Sequence, residues 1–352
     1  MKYLFKILIL LFGTLSFSQE LIFENLFDSS LNSEIACYRI PSIVTSTNGI
    51  LIAAIDERNN TCGDLKWNRN INIVLRKSYN DGKTWTKIER IVDYPLGESA
   101  SDPSMIVDRQ TKDIFLFYNY MNLDKAKDIY RFMVIKSNDN GESWSSPKDI
   151  TDQITKKEWK NDFMFITSGR GIQSEDGILL HCLVNLNKGT HVFGSNDHGK
   201  NWFLIDYPLK PGDESKIIEL SNGDWLVNSR VNSNKFRYSH ISKDKGKSWL
   251  SFENKDLSDP ACNASIINYN ISSEKLLLFS NAFDSNERKN LSLSISYDQG
   301  MSWKNNKTIY KGSSAYSSMT KLKNGDVGLF FEKDNYTKNV FVRVPKKWVL
   351  DK

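Results

Sequence analysis

The sequence lacks the usual signatures of most catalytic machineries. Its four histidines stand in no Ser/His/Asp or HExxH context, and no phosphate-cradling glycine loop occurs, so serine-type hydrolysis, zinc proteolysis and nucleotide chemistry find no support. The four cysteines, Cys37, Cys62, Cys182 and Cys262, lack metal-type spacing. No cofactor and no metal are expected. The excess of 47 basic over 42 acidic side chains is too mild to imply nucleic acid as a partner. Long, capped helical patterns are missing, and no Pro-, Gly- or Ser-rich linker divides the 352 residues.

Long apolar runs are also scarce. The exception is the start, MKYLFKILILLFGTLSFSQE, where a lysine-flanked opening leads into apolar residues from Leu8 to Phe17 with small residues at Ser16 and Ser18. That layout predicts a secretory signal peptide over 1–18, cut after Ser18, because the run is short for a hydrocarbon core of about 30 Å. No later segment has the length or apolarity to span a membrane. The mature chain, 19–352, is expected to be one domain, secreted or periplasmic, and monomeric. Loss of Lys2 and Lys6 leaves 45 basic against 42 acidic groups.

What the sequence does contain is repetition. Five octapeptides are variants of one another: SYNDGKTW from Ser78, SNDNGESW from Ser137, SNDHGKNW from Ser195, SKDKGKSW from Ser242 and SYDQGMSW from Ser296. Their starts lie 59, 58, 47 and 54 residues apart, the period of one four-stranded propeller blade. The third residue (Asn80, Asp139, Asp197, Asp244, Asp298) can hydrogen-bond its own turn, the glycine at the fifth accepts a left-handed conformation, and the tryptophan at the eighth packs the hairpin. These boxes are structural, and no catalysis is assigned to them.

A second repeat runs out of phase with the first. Turns followed by alternating apolar residues recur in NGILIAAIDER (Asn48), KDIFLFYNY (Lys112), DGILLHCLVN (Asp176), NGDWLVNSR (Asn222), EKLLLFSNA (Glu274) and NGDVGLFFEK (Asn324). Period-two alternation after a turn reads as a strand leaving a hairpin. Six such hairpins predict an all-β, six-bladed β-propeller of four-stranded antiparallel blades. The N-terminal strand should close the last blade, which removes exposed sheet edges.

Three arginines occupy comparable places within this pattern: Arg39 in YRIP, Arg230 in NSR and Arg288 in NERKNLSLSIS. Three converging guanidinium forks would form a strong site for a planar carboxylate. The order YRIP, repeated SxDxGxTW boxes, DESKIIELSNGDWLVNSR, RKNLSLS and SAYSSMTKLKNGDVGLFFE resembles bacterial exo-sialidases of the propeller superfamily, over Cys37 to Glu332. The boxes alone also occur in non-catalytic propellers; the ordered set of segments is more specific.

The resemblance implies the sialidase fold and retaining hydrolysis of terminal α-linked sialic acids, with sialylated glycans as substrate. It carries carboxylate binding to Arg39, Arg230 and Arg288, with Arg237 as an alternative for the third. It places the nucleophile on Tyr316, the glutamate that accepts its proton on Glu214, and the acid/base on Asp64 in GDL, with Asp56 and Asp81 as competitors. Arg58 and Asp102 become pocket residues, and Glu332 the residue that orients Arg39. Trp67 and Phe163 to Phe165 are candidates for an apolar wall, and SGRGIQ from Ser168 for a loop skirting the pocket. The acid role calls for a raised pKa at Asp64, and the arginines are expected to favour phenolate character at Tyr316.

A tyrosine suits such a substrate because the anomeric carbon bears a carboxylate. A second carboxylate approaching to about 4 Å would meet about 4 kcal/mol of repulsion in a partly screened site, which a neutral phenol avoids; sialidases are a known exception to paired-carboxylate glycosidases. Cys37 with Cys62 is the disulfide to test first, since each lies two residues before an assigned residue; buried free thiols are the other reading. Transfer to another sugar or release of an anhydro sugar would use the same residues, and a non-catalytic sialoglycan-binding propeller is the rival from a different class.

Overall fold

In a computed structural model, residues 20–271 and 274–351 are described; the expected signal peptide over 1–18 lies outside them. The described chain is almost entirely β, with two helical turns, Thr151–Ile154 and Lys346–Leu350, and three short 3-10 turns. The strands form five hydrogen-bonded sheets in a propeller arrangement. The first pairs Ile35–Thr45, Leu51–Asn59, Ile71–Ser78 and Glu89–Val92 in order; the fourth pairs Ser215–Glu219, Trp225–Ser229, Phe236–Ser242 and Leu250–Ser258. Between them lie two five-stranded sheets, built around Ile114–Asn122 and Leu179–Asn185.

The last sheet has seven strands and a divided centre. The 18-residue strand Lys304–Lys321 pairs through Lys304–Ser313 with Lys289–Ser296 and through Ser314–Lys321 with Val327–Lys333. Its outer strand is Phe23–Asp28, antiparallel to Lys338–Val344, so the N-terminal strand does pair with the C-terminal segment.

Alternation explains why the central strands are apolar throughout. In Leu51–Asn59, Ile52 and Ala54 pack against Met105 and Leu116 of the next sheet, while Leu51, Ala53 and Ile55 pack against Phe330 and Phe341 of the last. Each face meets a neighbour, so both parities of the period-two pattern are buried. The same contacts join the first sheet to the last.

The octapeptide turns differ in two details from expectation. The fourth residue is left-handed as well as the glycine, at φ 57° for Asp81 and 83° for Gly82, and the leading serine hydroxyl accepts the glycine N–H, 2.9 Å for Ser78 and Gly82. A Cβ on Gly82 would meet Phe341 Cε1 at 2.1 Å, so close approach of the next sheet adds to the φ requirement. The tryptophans pack outward on neighbouring sheets as well as on their hairpins: Trp85 lies 5.1 Å from Phe341 and Trp202 lies 5.8 Å from Phe115, between ring centroids.

Candidate active site

Irregularities in three strands aim the site residues. Register shifts fall between Arg39 and Ser42, between Ser101 and Ser104, and between Ser314 and Ser317. Each bulge bends its strand and re-aims a side chain, here Arg39, Asp102 and Tyr316. Ile40 and Asp102 adopt φ of 69° and 65°. For a β-branched residue such as Ile40 this conformation costs about 1–3 kcal/mol, and something must hold it.

Glu332 does so. Its carboxylate is fully buried, and Oε1 accepts Arg39 Nε at 2.6 Å and the Ile40 N–H at 2.9 Å. The other oxygen accepts the Tyr316 N–H at 3.1 Å. One carboxylate therefore fixes an arginine, a strained main-chain turn and the tyrosine's backbone. Engaging both oxygens in this way is what makes a buried charge tolerable.

Tyr316 is the meeting point of the three arginines. Arg230 Nη1 donates to the Tyr316 hydroxyl at 3.2 Å and to Glu214 Oε2 at 2.6 Å. Arg39 and Arg288 lie 5.7 and 5.4 Å from the Tyr316 ring centre. Arg288 also donates to the Ala261 carbonyl at 2.9 Å and to the Tyr336 hydroxyl at 3.3 Å. Arg39 stacks on Tyr336 at 4.0 Å. Tyr336 was missed in the sequence; its only signal is an aromatic residue four places after Glu332. Arg237, the alternative third arginine, is fully buried, with Nε on Asn228 and Nη1 on Asp259 and the Cys262 carbonyl, and with Nη2 unpaired among the described residues.

The arginines do pull Tyr316 toward phenolate, as expected, but other effects outweigh them. Burial and the neighbouring Glu214 charge push the Tyr316 phenol well above its ordinary value, and the opposing pull of Arg230 and Arg288 does not overcome them. Resting Tyr316 is a neutral phenol. No direct hydrogen bond joins Tyr316 to Glu214; a single Arg230 nitrogen touches both.

A second group lies on the strand beside Arg39, where Asp56 pairs with Arg39 and Arg58 with Cys37. Arg58, 1% exposed, donates to Asp56 Oδ2 at 3.0 Å, to Asp64 Oδ1 at 2.7 Å and to the Cys62 carbonyl at 2.9 Å. The Cys37–Cys62 disulfide is formed, and Cys182 and Cys262 are buried free thiols; the bond ties the Asp64 loop to the strand carrying Arg39. Asp56 also accepts Ser101 Oγ and the Asp102 N–H. Asp102 accepts Asn119 Nδ2 at 2.9 Å. Asp81 lies in the first octapeptide turn. Lys66 Nζ sits 5.5 Å from the Trp67 ring and 6.0 Å from the Phe163 ring, so both aromatics edge one exposed patch. SGRGIQ is not a skirting loop: Gly169–Arg170 pairs in parallel with Ser104–Met105.

Burial raises the carboxyls of Asp56 and Asp102, and the Asp56 charge raises that of Asp102 further. A raised carboxyl stabilises the fold fully below its unfolded value and loses that contribution as pH rises through the folded one. Asp102→Asn should therefore raise the thermal midpoint at pH 7 and leave it little changed near pH 4, as calorimetry at the two pH values would read.

Asp64 departs from expectation. Burial raises its carboxyl, but the Arg58 charge and hydrogen bond, with help from Arg39 and Arg288, lower it overall. Its stabilising contribution is present above the usual carboxyl value and is lost as pH falls through the lowered one; with the side chain 76% exposed, that contribution is small. In Arg58→Gln protein the Asp64 carboxyl should titrate at higher pH than in wild type, which carboxyl NMR would follow. An unmoved titration would remove Arg58 as the cause.

Among the described residues no three His, Cys, Asp or Glu side chains gather as a metal cage requires. The arrangement offers an anion cradle, a neutral phenol beside a carboxylate, and a second carboxylate on a loop. The BNR repeat-like domain model matches residues 63–329. A sialidase of Bacteroides fragilis (strain YCH46) is 28% identical over 330 residues, covering 84% of this chain and 60% of the relative. A sialidase of Micromonospora viridifaciens is 32% identical over 327 residues, covering 84% and 50%. The chain thus spans about half to three fifths of the length of these relatives. Among solved structures, Hadza microbial sialidase Hz136 matches with a TM-score of 0.84 at 25% identity, covering 92% of this chain and 69% of that one. The intramolecular trans-sialidase from Ruminococcus gnavus, in complex with oseltamivir carboxylate, matches at 0.82 and 18% identity, covering 93% and 98%; at that identity the likeness concerns the fold alone.

Proposed function

This chain belongs to the BNR repeat-like domain family, and on that premise we propose that it is a retaining exo-α-sialidase that cleaves terminal α-linked sialic acids from glycans. The observation that carries the reading is the contact of Arg230 with both the Tyr316 hydroxyl and Glu214, with Arg39 and Arg288 against the same ring. The sialidase relatives support it.

In this account the sugar carboxylate lies on Arg39, Arg230 and Arg288, where bidentate donors fit a planar anion. The Tyr316 oxygen attacks the anomeric carbon as Glu214 takes its proton, and Asp64 gives a proton to the departing glycosidic oxygen. Asp64 then activates the water that releases sugar from tyrosine. A neutral resting phenol agrees with this order, since the proton leaves only as bonding develops. Asp64 needs its proton at the first step, so substrate must loosen the Arg58 pair and exclude water from the loop. Arg58 and Asp102 then face the sugar's hydroxyl or amide groups.

The architecture we infer is six-bladed, because dividing the seven-stranded sheet at Ser313 and Ser314 leaves two four-stranded units. The leader over 1–18 remains part of the proposal, with export after cleavage. The direct test is turnover of a 4-methylumbelliferyl sialoside with NMR of the product. Release of free sialic acid with the α-anomer appearing first supports the reading; a first-formed β-anomer or an anhydro sugar would replace it, and no turnover would leave a binding protein.

A further inference from the structure

The strands that carry the site residues open at their other ends on a second space. Val44–Thr47, Ile218–Ser221, Ile266–Asn268 and Thr320–Lys323, with Arg170–Gln173, enclose a cavity of about 980 Å³. Six residue steps along the bulged strand lead from Arg39 to Thr45, at most about 20 Å, and none of Arg39, Arg230, Arg288 and Tyr316 lines the cavity, so it is not the arginine cluster.

Its lining is rich in cations and poor in free acceptors. Arg109, Arg170, Lys275, Lys321 and Lys323 face it, and among the described residues none of the five forms an ion pair. Four of them donate to main-chain carbonyls instead: Arg170 to Met319 at 2.9 Å, Arg109 to Gln173 at 2.8 Å and Ser174 at 2.9 Å, Lys321 to Asn270 at 2.6 Å, and Lys323 to Asn48 at 2.5 Å. The acceptors are already engaged. Glu219 takes Lys245 at 3.2 Å and the Glu175 N–H at 2.6 Å, Gln173 Oε1 takes the Arg109 N–H, and Gln299 Oε1 takes Ser221. Glu175 is the one carboxylate on the lining without a basic partner among the described residues.

A guanidinium has five donors, and Arg170 places few of them. Burial lowers its pKa to about 10 and also lowers that of Lys321, with no carboxylate charge to offset the cost. A ligand that only accepts hydrogen bonds would meet this deficit. We propose that the cavity binds a small multivalent oxyanion, a phosphate or carboxylate compound, with Arg170 at its floor and Lys321 and Lys323 at its rim. Guanidinium forks and ammonium groups recognise both oxyanions, so the source is left to the two arms of the test.

Isothermal titration of the full chain with inorganic pyrophosphate and with citrate at low salt is the experiment. Binding of either at micromolar strength is expected, weakening as salt rises; pyrophosphate alone would assign a phosphate ligand and citrate alone a carboxylate. Lys321→Gln with Lys323→Gln, both at exposed positions, should weaken binding about tenfold or more and leave sialoside turnover unchanged. Arg170→Gln should weaken it further, and the lysine pair keeps the test open if that variant does not fold. No binding tighter than about 1 mM, or binding lost in Arg288→Gln but indifferent to the lysine changes, would overturn the proposal, the latter by placing the anion on the arginine cluster.

Discussion

Tyr316→Phe loses turnover about 10³-fold or more while substrate binding and fold survive, because the variant removes the attacking oxygen and little else. The lost hydroxyl makes one described hydrogen bond, from Arg230, and the ring keeps its contacts with Arg39 and Arg288. The measurement is kcat and KM on an aryl sialoside beside the circular dichroism of both proteins. A KM close to wild type with kcat collapsed assigns Tyr316 to the chemical step. Equal loss in KM would assign it to binding, and unchanged kcat would remove it from the reaction.

Glu332→Gln is the second large effect, and it reports on preorganisation. The substitution keeps the shape but leaves the Arg39 guanidinium without its counter-charge in a nearly closed environment, at 13% side-chain exposure. Breaking a buried pair in this way costs about 3 kcal/mol or more. An amide also offers one acceptor oxygen where the carboxylate offered two, so either the Ile40 and Arg39 donors or the Tyr316 N–H lose their partner. The expected result is a lower denaturation midpoint together with about a 10²-fold fall in kcat/KM, since displacement of an aligned group by 1 Å can cost that much. A stable but inactive variant would make Glu332 part of the chemistry; a destabilised variant with full activity would break the link between the strained Ile40 turn and the site.

Ring, strands and arginine cluster were legible because each rests on a local, repeated signal. Octapeptide spacing marks the blades, alternation in NGILIAAIDER marks a strand buried on both faces, and the YRIP, NSR and RKNLSLS contexts single out Arg39, Arg230 and Arg288. The RKNLSLS context favours Arg288 over Arg237, and the packing agrees: Arg288 lies against Tyr316 and Tyr336, while Arg237 is buried on Asn228, Asp259 and the Cys262 carbonyl. The bulges were hidden: a positive φ at Ile40 opposes what a β-branched residue prefers, and the force that holds it comes from Glu332, 292 residues away.

Protonation was the least legible feature. The pKa of Asp64 depends on Arg58 reaching it across a turn, and that of Tyr316 on a balance between burial and three nearby charges. Sequence supplies the residue types but not those distances, so neither the lowered Asp64 carboxyl nor the net rise at Tyr316, where the arginines pull as expected but are outweighed, was legible. Tyr336 escaped because nothing in its neighbours distinguishes it from a packing aromatic until Arg39 and Arg288 are seen to close on it.

The most direct measurement of the central claim is covalent trapping. A fluorinated sialosyl fluoride, which forms a glycosyl-enzyme faster than water releases it, should leave the mass of one sugar on the proteolytic peptide that contains Tyr316, and no label in Tyr316→Phe. Sugar attached to Glu214 or Asp64, or rapid turnover of natural substrate with no trapped species, would contradict a tyrosine nucleophile.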